Sequence, residues 1–243
     1  MKHKEFILTP LSSLIEQTLQ PLDLYKGQIC NYIMKEYVLQ TLFMKLTGCM
    51  EQKAKCILWD IATHDFEYRR DFLRGNSKNG EYSTYDSKNY VYKTLVNHGG
   101  IIDNKRKEEL LAQLEYFKDN ILEKSILKVW LPRELKELEF NNIFNREKCN
   151  GEMCIEEKKG KKGEIILKLF NDTLKDTYDK LYTHRNRCAH NVLSYQGNAM
   201  NPQKIKEVGD ASYATWFTLL VLMDMIYMEL YEKVHNQMKL ISL

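Results

Sequence analysis

Helix-breaking residues are scarce in this chain, whose 243 residues include only 4 prolines and 11 glycines. That shortage argues against a β fold with many tight turns and favours long helices. An excess of charge of one sign is also lacking, since 36 Lys and Arg residues are nearly balanced by 33 Asp and Glu residues. The formal net charge of +3 permits nucleic-acid binding without indicating it.

The sequence also lacks an apolar segment suited to a signal peptide or a membrane span. Residues 1–6 are charged, and the longest apolar stretch, residues 214–227, is short for a span and contains Asp224. We predict that this stretch is a buried helix. The six cysteines have no framework spacing, which indicates reduced thiols in an intracellular protein. The sequence therefore predicts a soluble, cytoplasmic chain that binds no membrane.

Apolar residues recur at helical spacing along most of the chain. The pattern predicts helices over residues 12–19, 26–46, 50–72, 90–97, 103–121 and 131–140. A break is expected at Thr47-Gly48, a polar loop over residues 75–88, and a helix cap at Asp103. The tryptophans are all predicted to lie in the core: Trp59, Trp130 and Trp216.

The C-terminal part contains the clearest elements. Residues 141–164 form either a small β-hairpin or a loop that runs into the next helix. A helix follows, beginning at Ile165 or Phe170 and ending at Asn191, and a last helix covers about residues 205–240. The last helix is apolar almost all round, so it lies at the centre of a bundle or between two subunits. We predict one all-α domain over residues 1–243, divided into N-terminal helices (1–140), the loop or hairpin (141–164), and the last two helices (165–243).

Six consecutive residues near the end of the first of these two helices combine phosphate-binding and proton-transferring groups: Arg185, Asn186, Arg187, Cys188, Ala189 and His190. An arginine neutralises a phosphate through its fork of donors, and a histidine exchanges a proton near neutral pH. Phosphodiester cleavage requires both properties. The apolar positions upstream place the packed face of the helix mostly away from this patch: Leu174, Tyr178, Leu181 and Tyr182.

Helical geometry separates the members of this motif. Asn186 and His190 lie on one helix face, whereas Arg185 lies about 140° around the helix from His190. The long side chain of Arg185 is still expected to reach the same solvent or partner surface. Its offset is easiest to understand if a second copy of the chain completes the site.

The arrangement resembles the HEPN superfamily, whose signature is Arg-x(4–6)-His, usually with Asn, Asp or His directly after the Arg. Arg185, Asn186 and His190 match this signature. The resemblance implies a four-helix up-and-down core, here with extra N-terminal helices, and frequent homodimers with a composite active site. It also implies metal-independent endoribonuclease activity without a cofactor. The biological role that it suggests is that of a toxin or anti-phage defence effector, sometimes with an antitoxin or regulatory partner.

The resemblance also implies a role for each residue. His190 acts as base on a ribose 2′-hydroxyl or as acid on the leaving 5′-oxygen, Arg185 stabilises the phosphorane, and Asn186 orients His190 or the phosphate. Family toxins with nucleotidyltransferase antitoxins often carry a Tyr two residues after the His, where this chain has Val192. His184 and Arg187 are second-rank candidates.

Two alternatives stay open at this point. One is a non-catalytic helical module that binds RNA or a partner and uses the motif as an anion site. The other is a helical scaffold in which Arg185 and His190 only cap a helix. Cys149 and Cys154 could hold half a zinc site, but incidental thiols are the favoured interpretation.

Overall fold

The computed structural model describes residues 3–23, 32–74, 82–136, 138–159, 164–190 and 213–241. These residues form eleven α-helices: α1 (His3–Ile7), α2 (Leu11–Asp23), α3 (Tyr32–His64), α4 (Phe66–Leu73), α5 (Tyr85–Gly99), α6 (Asn104–Phe117), α7 (Leu127–Trp130), α8 (Leu138–Ile143), α9 (Arg146–Glu152), α10 (Asp172–His190) and α11 (Tyr213–Ile241). A π-helical turn, Lys118–Leu122, extends α6, and a 3-10 turn, Glu134–Lys136, follows α7. Two strands complete the described fold, β1 (Met153–Lys159) and β2 (Glu164–Phe170). The prediction of a mainly helical chain is confirmed.

Helix α11 forms the centre of the structure. Its apolar residues are buried on every side against helices that include α3, α5, α6 and α10. Within the described ranges it is the one helix long and apolar enough to cross a membrane, but 89% of the apolar window is buried inside the protein. Such burial is typical of a core helix. The prediction of a buried helix over residues 214–227 is therefore confirmed. This helix lies at the centre of the bundle.

Helix α3 runs without interruption through Thr47 and Gly48, so the predicted break there is wrong. The apolar stripe on either side keeps its helical spacing, and burial of that stripe outweighs the weak local preference of a glycine. Thr47 adapts by donating its hydroxyl to the carbonyl oxygen of Met44 at 3.1 Å. The chain instead breaks at Asp65, whose carboxylate accepts from the backbone N–H of Tyr68 and begins α4.

Caps decide where the next helices begin. Thr84 is the N-cap of α5, so the helix starts at Tyr85, and residues 85–88 of the predicted loop are helical. Residues 75–81 of that loop lie outside the described ranges. Asp103 caps α6 by accepting from the N–H of Arg106 at 2.8 Å, as predicted. The predicted helix over residues 131–140 is wrong, because Pro132 disfavours helix at the residue before it and α7 ends at Trp130.

The hairpin before the motif is confirmed. Strand β1 pairs antiparallel with β2, with Met153 opposite Phe170. Helix α10 consequently begins at Asp172, and the predicted start at Ile165 or Phe170 is wrong. The buried carboxylate of Glu152 caps the new helix by accepting from the N–H of Leu174 at 2.8 Å. The start of the motif helix is thus fixed by the end of α9.

The tryptophan predictions are confirmed at two positions of three. Trp130 and Trp216 are buried, whereas Trp59 is 51% exposed on the outer face of α3, where its ring lies edge-on to Phe72. The prediction of core burial for Trp59 is wrong because that helix face is covered only in part by α4. The described cysteines are free thiols.

Candidate functional site

Arg185 lies on the packed face of α10. Leu174, Tyr178 and Leu181 are buried along this helix, and Arg185 follows Leu181 by four residues, about one helical turn. The side chain of Arg185 therefore continues the packed stripe instead of leaving it. For Arg185, this corrects the expectation that the packed face of the helix points mostly away from the motif.

Two neighbours hold the guanidinium of Arg185. Its Nη2 atom donates to Oε1 of Glu51 on α3 at 2.8 Å, and its Nη1 atom donates to Oδ1 of Asn186 at 3.1 Å. The ion pair is partly shielded from water, with side-chain exposures of 22% for Arg185 and 16% for Glu51. Shielding makes such a pair stronger and less sensitive to salt than one on the open surface. Arg185 and Asn186 thus form one fixed polar unit.

His190 is the last residue of α10. Its side chain lies outside what the structure describes, as do Asn191, Val192 and the following residues up to 212. The structure accordingly places the backbone of His190 at the end of the helix that carries Arg185 and Asn186. The spacing of five residues from Arg185 to His190 corresponds to about 7.5 Å along the axis. Arg187, the second-rank candidate beside them, is exposed.

A small cavity lies behind Arg185, where α3, α5, α10 and α11 meet. Its volume is about 10 Å³, close to the minimum for one water molecule. The residues with polar side chains in its lining are Thr47, Glu51, Ser83, Lys88, Tyr178, Tyr182 and Arg185. Two buried donors of this lining, Nζ of Lys88 and Nε of Arg185, have no hydrogen-bond partner. Such orphan donors are rare in protein interiors, and here two of them line one cavity.

Lys88 is the most unusual group of this lining. The side chain is 1% exposed, and burial, opposed by the attraction of Glu51, lowers its pKa to about 7. Arg185 adds to the lowering by charge repulsion. The hydroxyl of Tyr178 donates to the carbonyl oxygen of Ser83 at 2.8 Å and makes no hydrogen bond with the Lys88 amine. Lys88 therefore changes its protonation state close to neutral pH.

His184 has a different environment from the rest of the motif region. Its ring is buried among aromatic rings, with centroids 5.3 Å from Phe43, 5.7 Å from Tyr213 and 4.5 Å from Trp216. Burial, with a smaller repulsion from Arg187, lowers the pKa of His184 to about 4. The ring is therefore neutral at physiological pH, and we assign it a packing role rather than a role in proton transfer.

The low pKa of His184 predicts a loss of stability in acid. An unfolded histidine takes up a proton near pH 6.5, whereas folded His184 does so only near pH 4. Protonation therefore favours the unfolded chain as the pH falls from 6.5 to 4, with a full effect of about 3 kcal/mol. We expect the stability difference between the wild type and His184→Phe, which keeps a ring but does not titrate, to change over this range. Urea unfolding at pH 4.5 and pH 7 measures it, and a pH-independent difference contradicts the assignment.

Metal-binding chemistry finds no support in the part of the chain that the structure describes. No group of three or more His, Cys, Asp or Glu side chains is placed there to hold a metal ion. Cys149 and Cys154 are both buried, and burial raises the pKa of each thiol to about 12. A thiol with so high a pKa stays protonated near neutral pH, which disfavours metal ligation.

Two residues of the site, Glu51 and Lys88, were not found from the sequence. A weak signal exists for Lys88, which follows buried Tyr85 by three residues and precedes buried Tyr92 by four, so it is a cation on an apolar helix face. Glu51 gives no comparable signal, since 134 residues separate it from Arg185. In comparisons with known proteins, no protein-family model, no curated protein and no solved structure matches this chain.

Proposed function

We propose that this protein is a metal-independent endoribonuclease of the HEPN type. The observation that carries the proposal is the fixed Arg185–Asn186 unit, in which the guanidinium bonds both Glu51 and Asn186, on the same final turns of α10 as His190. A cation held in place before substrate binds needs little reorganisation when charge develops on a phosphate. The four helices that meet at the cavity, α3, α5, α10 and α11, would correspond to the HEPN core.

The chemistry assigned to the site is an in-line transesterification. A ribose 2′-hydroxyl attacks the adjacent phosphorus atom while the bond from phosphorus to the 5′-oxygen breaks. His190 accepts the proton of the 2′-hydroxyl or supplies one to the leaving 5′-oxygen. Arg185 offsets the charge that builds up on the phosphorane oxygens, and Asn186 orients the arginine and the phosphate. The products are a 2′,3′-cyclic phosphate and a 5′-hydroxyl.

The proposal extends to assembly and biological role. One His190 cannot serve as acid and base in the same step, and a homodimer that brings two motifs together would supply both. A nuclease of this kind would act as a toxin or anti-phage defence effector, restrained by an antitoxin or another regulatory partner. Both extensions rest on the HEPN resemblance. The molar mass in solution tests the first of them, since a strict monomer that cleaves RNA excludes a composite site.

The direct test is cleavage of a structured RNA by the purified wild-type protein in excess chelator. We expect cleavage products that carry 2′,3′-cyclic phosphate and 5′-hydroxyl ends, identified by mass spectrometry and by kinase labelling of the 5′ ends without prior phosphatase treatment. An RNA with 2′-deoxyribose at the cleaved positions should resist, because it lacks the attacking hydroxyl. Cleavage of both substrates alike, or products with 3′-hydroxyl ends, would overturn the mechanism.

One observation favours a second candidate, a non-catalytic module that binds RNA or a partner. The guanidinium of Arg185 already has an acidic partner within the chain, which is the arrangement of a structural ion pair as well as of a preset phosphate site. In the same experiment, this candidate predicts that the wild type retards RNA in a gel shift without cutting it.

A further inference from the structure

Lys88 occupies a position where a lysine costs stability. Its side chain is fully buried and its Nζ atom has no hydrogen-bond partner, although the desolvation of an ammonium group is expensive. A methionine of similar length would fill the same space without that cost. The amino group of Lys88 therefore has a role other than packing, and the groups around it indicate which residue it acts on.

The cavity places two cations beside one carboxylate. Lys88 and Arg185 both line it, and Glu51 is the single acidic residue among the described lining residues. Arg185 holds Glu51 through a hydrogen bond of 2.8 Å, while Lys88 is close enough to be attracted by the same carboxylate. At about 10 Å³, the cavity has room for roughly one water and for no larger ligand. Lys88 and Arg185 thus compete for one acceptor.

We propose that Lys88 and Glu51 are positioning residues for Arg185, and that protonation of Lys88 loosens the hold of Glu51 on the guanidinium. The inference rests on the proposed function, in which Arg185 binds the reacting phosphate. When Lys88 is neutral, the Glu51 carboxylate interacts with Arg185 alone and holds its guanidinium in place. With Lys88 protonated, the ammonium attracts Glu51 and repels Arg185, and the phosphate-binding group loses its orientation.

The charges around Lys88 place this change near neutral pH. The titratable groups that face it are Glu51, Lys55 and Cys49 from α3, Arg185 and the Tyr178 and Tyr182 phenols from α10, and the Tyr227 phenol from α11, which donates to the Lys88 carbonyl oxygen. Burial is the largest influence on the pKa of Lys88, followed by the opposing attraction of Glu51. With a pKa of about 7, Lys88 is mostly neutral above that pH and mostly protonated below it. The site is therefore fixed in weakly alkaline solution and loosened in weakly acidic solution.

The pH profile of RNA cleavage tests the proposal. In the wild type, two groups must lose a proton before RNA is cut: His190, which acts as the base, and Lys88. Below pH 6.5, a plot of the logarithm of the cleavage rate against pH should therefore have a slope of about two. In Lys88→Met the slope should fall to about one. Lys88→Arg, charged at every pH, should stay about 10- to 100-fold below the wild type even at pH 8.5. Lys93→Met removes a half-buried lysine from the same helix and should leave the profile unchanged.

A second measurement does not depend on activity. The pKa of Lys88 is read by NMR on protein labelled at lysine Cε, with Lys88→Met used for assignment. We expect a value near 7 that falls further in Glu51→Gln and rises in Arg185→Gln. An ordinary lysine pKa, or no response to either substitution, overturns the proposal, as does an unchanged slope in an active, folded Lys88→Met. If the wild type cuts no RNA while the pKa couplings are present, the proposed function fails and the coupled cluster stands.

Discussion

Alanine at His190 is expected to lower the single-turnover rate of RNA cleavage by about 10²–10⁴-fold, because the proposed proton carrier is removed. Arg185→Ala should cost about 10²–10³-fold, the range for losing one preset donor to a developing oxyanion. Both rates are measured on a fluorescent RNA in excess chelator, beside the wild type. Lys180→Ala removes an exposed cation from the same helix and serves as the matched control.

Stability has to be measured with the rates, because Arg185 is also a structural partner. Its removal leaves Glu51 half-buried without its cation, at a cost of about 1–3 kcal/mol. The double variant Arg185→Ala/Glu51→Gln removes the orphaned charge and should recover part of that stability without recovering activity. Arg185→Lys retains a positive charge but loses the forked N–H donors of the guanidinium, so this variant should fold well and cleave RNA poorly. Equal cleavage by wild type, His190→Ala and Arg185→Ala places the chemistry elsewhere.

The helix that carries Arg185, Asn186 and His190 could be predicted from the sequence, whereas the contacts around Arg185 could not. Arg185, Asn186 and His190 belong to one helix, so their spacing in the sequence already fixes their relative directions. Glu51 comes from α3, and no local sequence pattern predicts a contact between residues 134 positions apart. The carboxylate that pairs with Arg185 therefore comes from a distant helix of the same chain, and only the folded structure brings the two side chains together.

Helix boundaries show the same division between local and distant causes. The start of α6 was predicted because its cap, Asp103, is adjacent in sequence. The continuity of α3 through Gly48 was not predicted, because it depends on burial against helices that are distant in the sequence. Lys53 and Lys88 are comparable cases within helices. Each is a lysine on an apolar face, where burial depends on an acidic partner or a cavity that another element supplies.

The buried ion pair between Lys53 and Asp224 supports the second large prediction. Both side chains are 1% exposed, and Nζ of Lys53 lies 2.5 Å from Oδ1 of Asp224. The other carboxylate oxygen accepts from the N–H of Leu11 at 2.7 Å, and Lys53 also donates to the carbonyl oxygen of Thr9. One carboxylate on α11 thus joins α3 to the first turn of α2.

We expect Asp224→Ala to lower the free energy of unfolding by about 3–5 kcal/mol, because it leaves the Lys53 ammonium buried without a counter-charge and Leu11 without an acceptor. Lys53→Met should cost less. Burial raises the pKa of Asp224 even with Lys53 present, so without the lysine the carboxyl can take up a proton and still bond Leu11. Urea unfolding at pH 7 measures both losses.

Replacing both partners separates the charge from the packing. In Lys53→Met/Asp224→Ala no buried charge remains, and the expected loss shrinks to about 1–3 kcal/mol, the cost of the unpaired Leu11 N–H. The coupling energy from this cycle should therefore be large and favourable. If the double variant is as unstable as the two single variants combined, the ion pair contributes no coupling, and the attachment of α2 depends on the apolar contacts of Leu11, Ile15 and Leu19 alone.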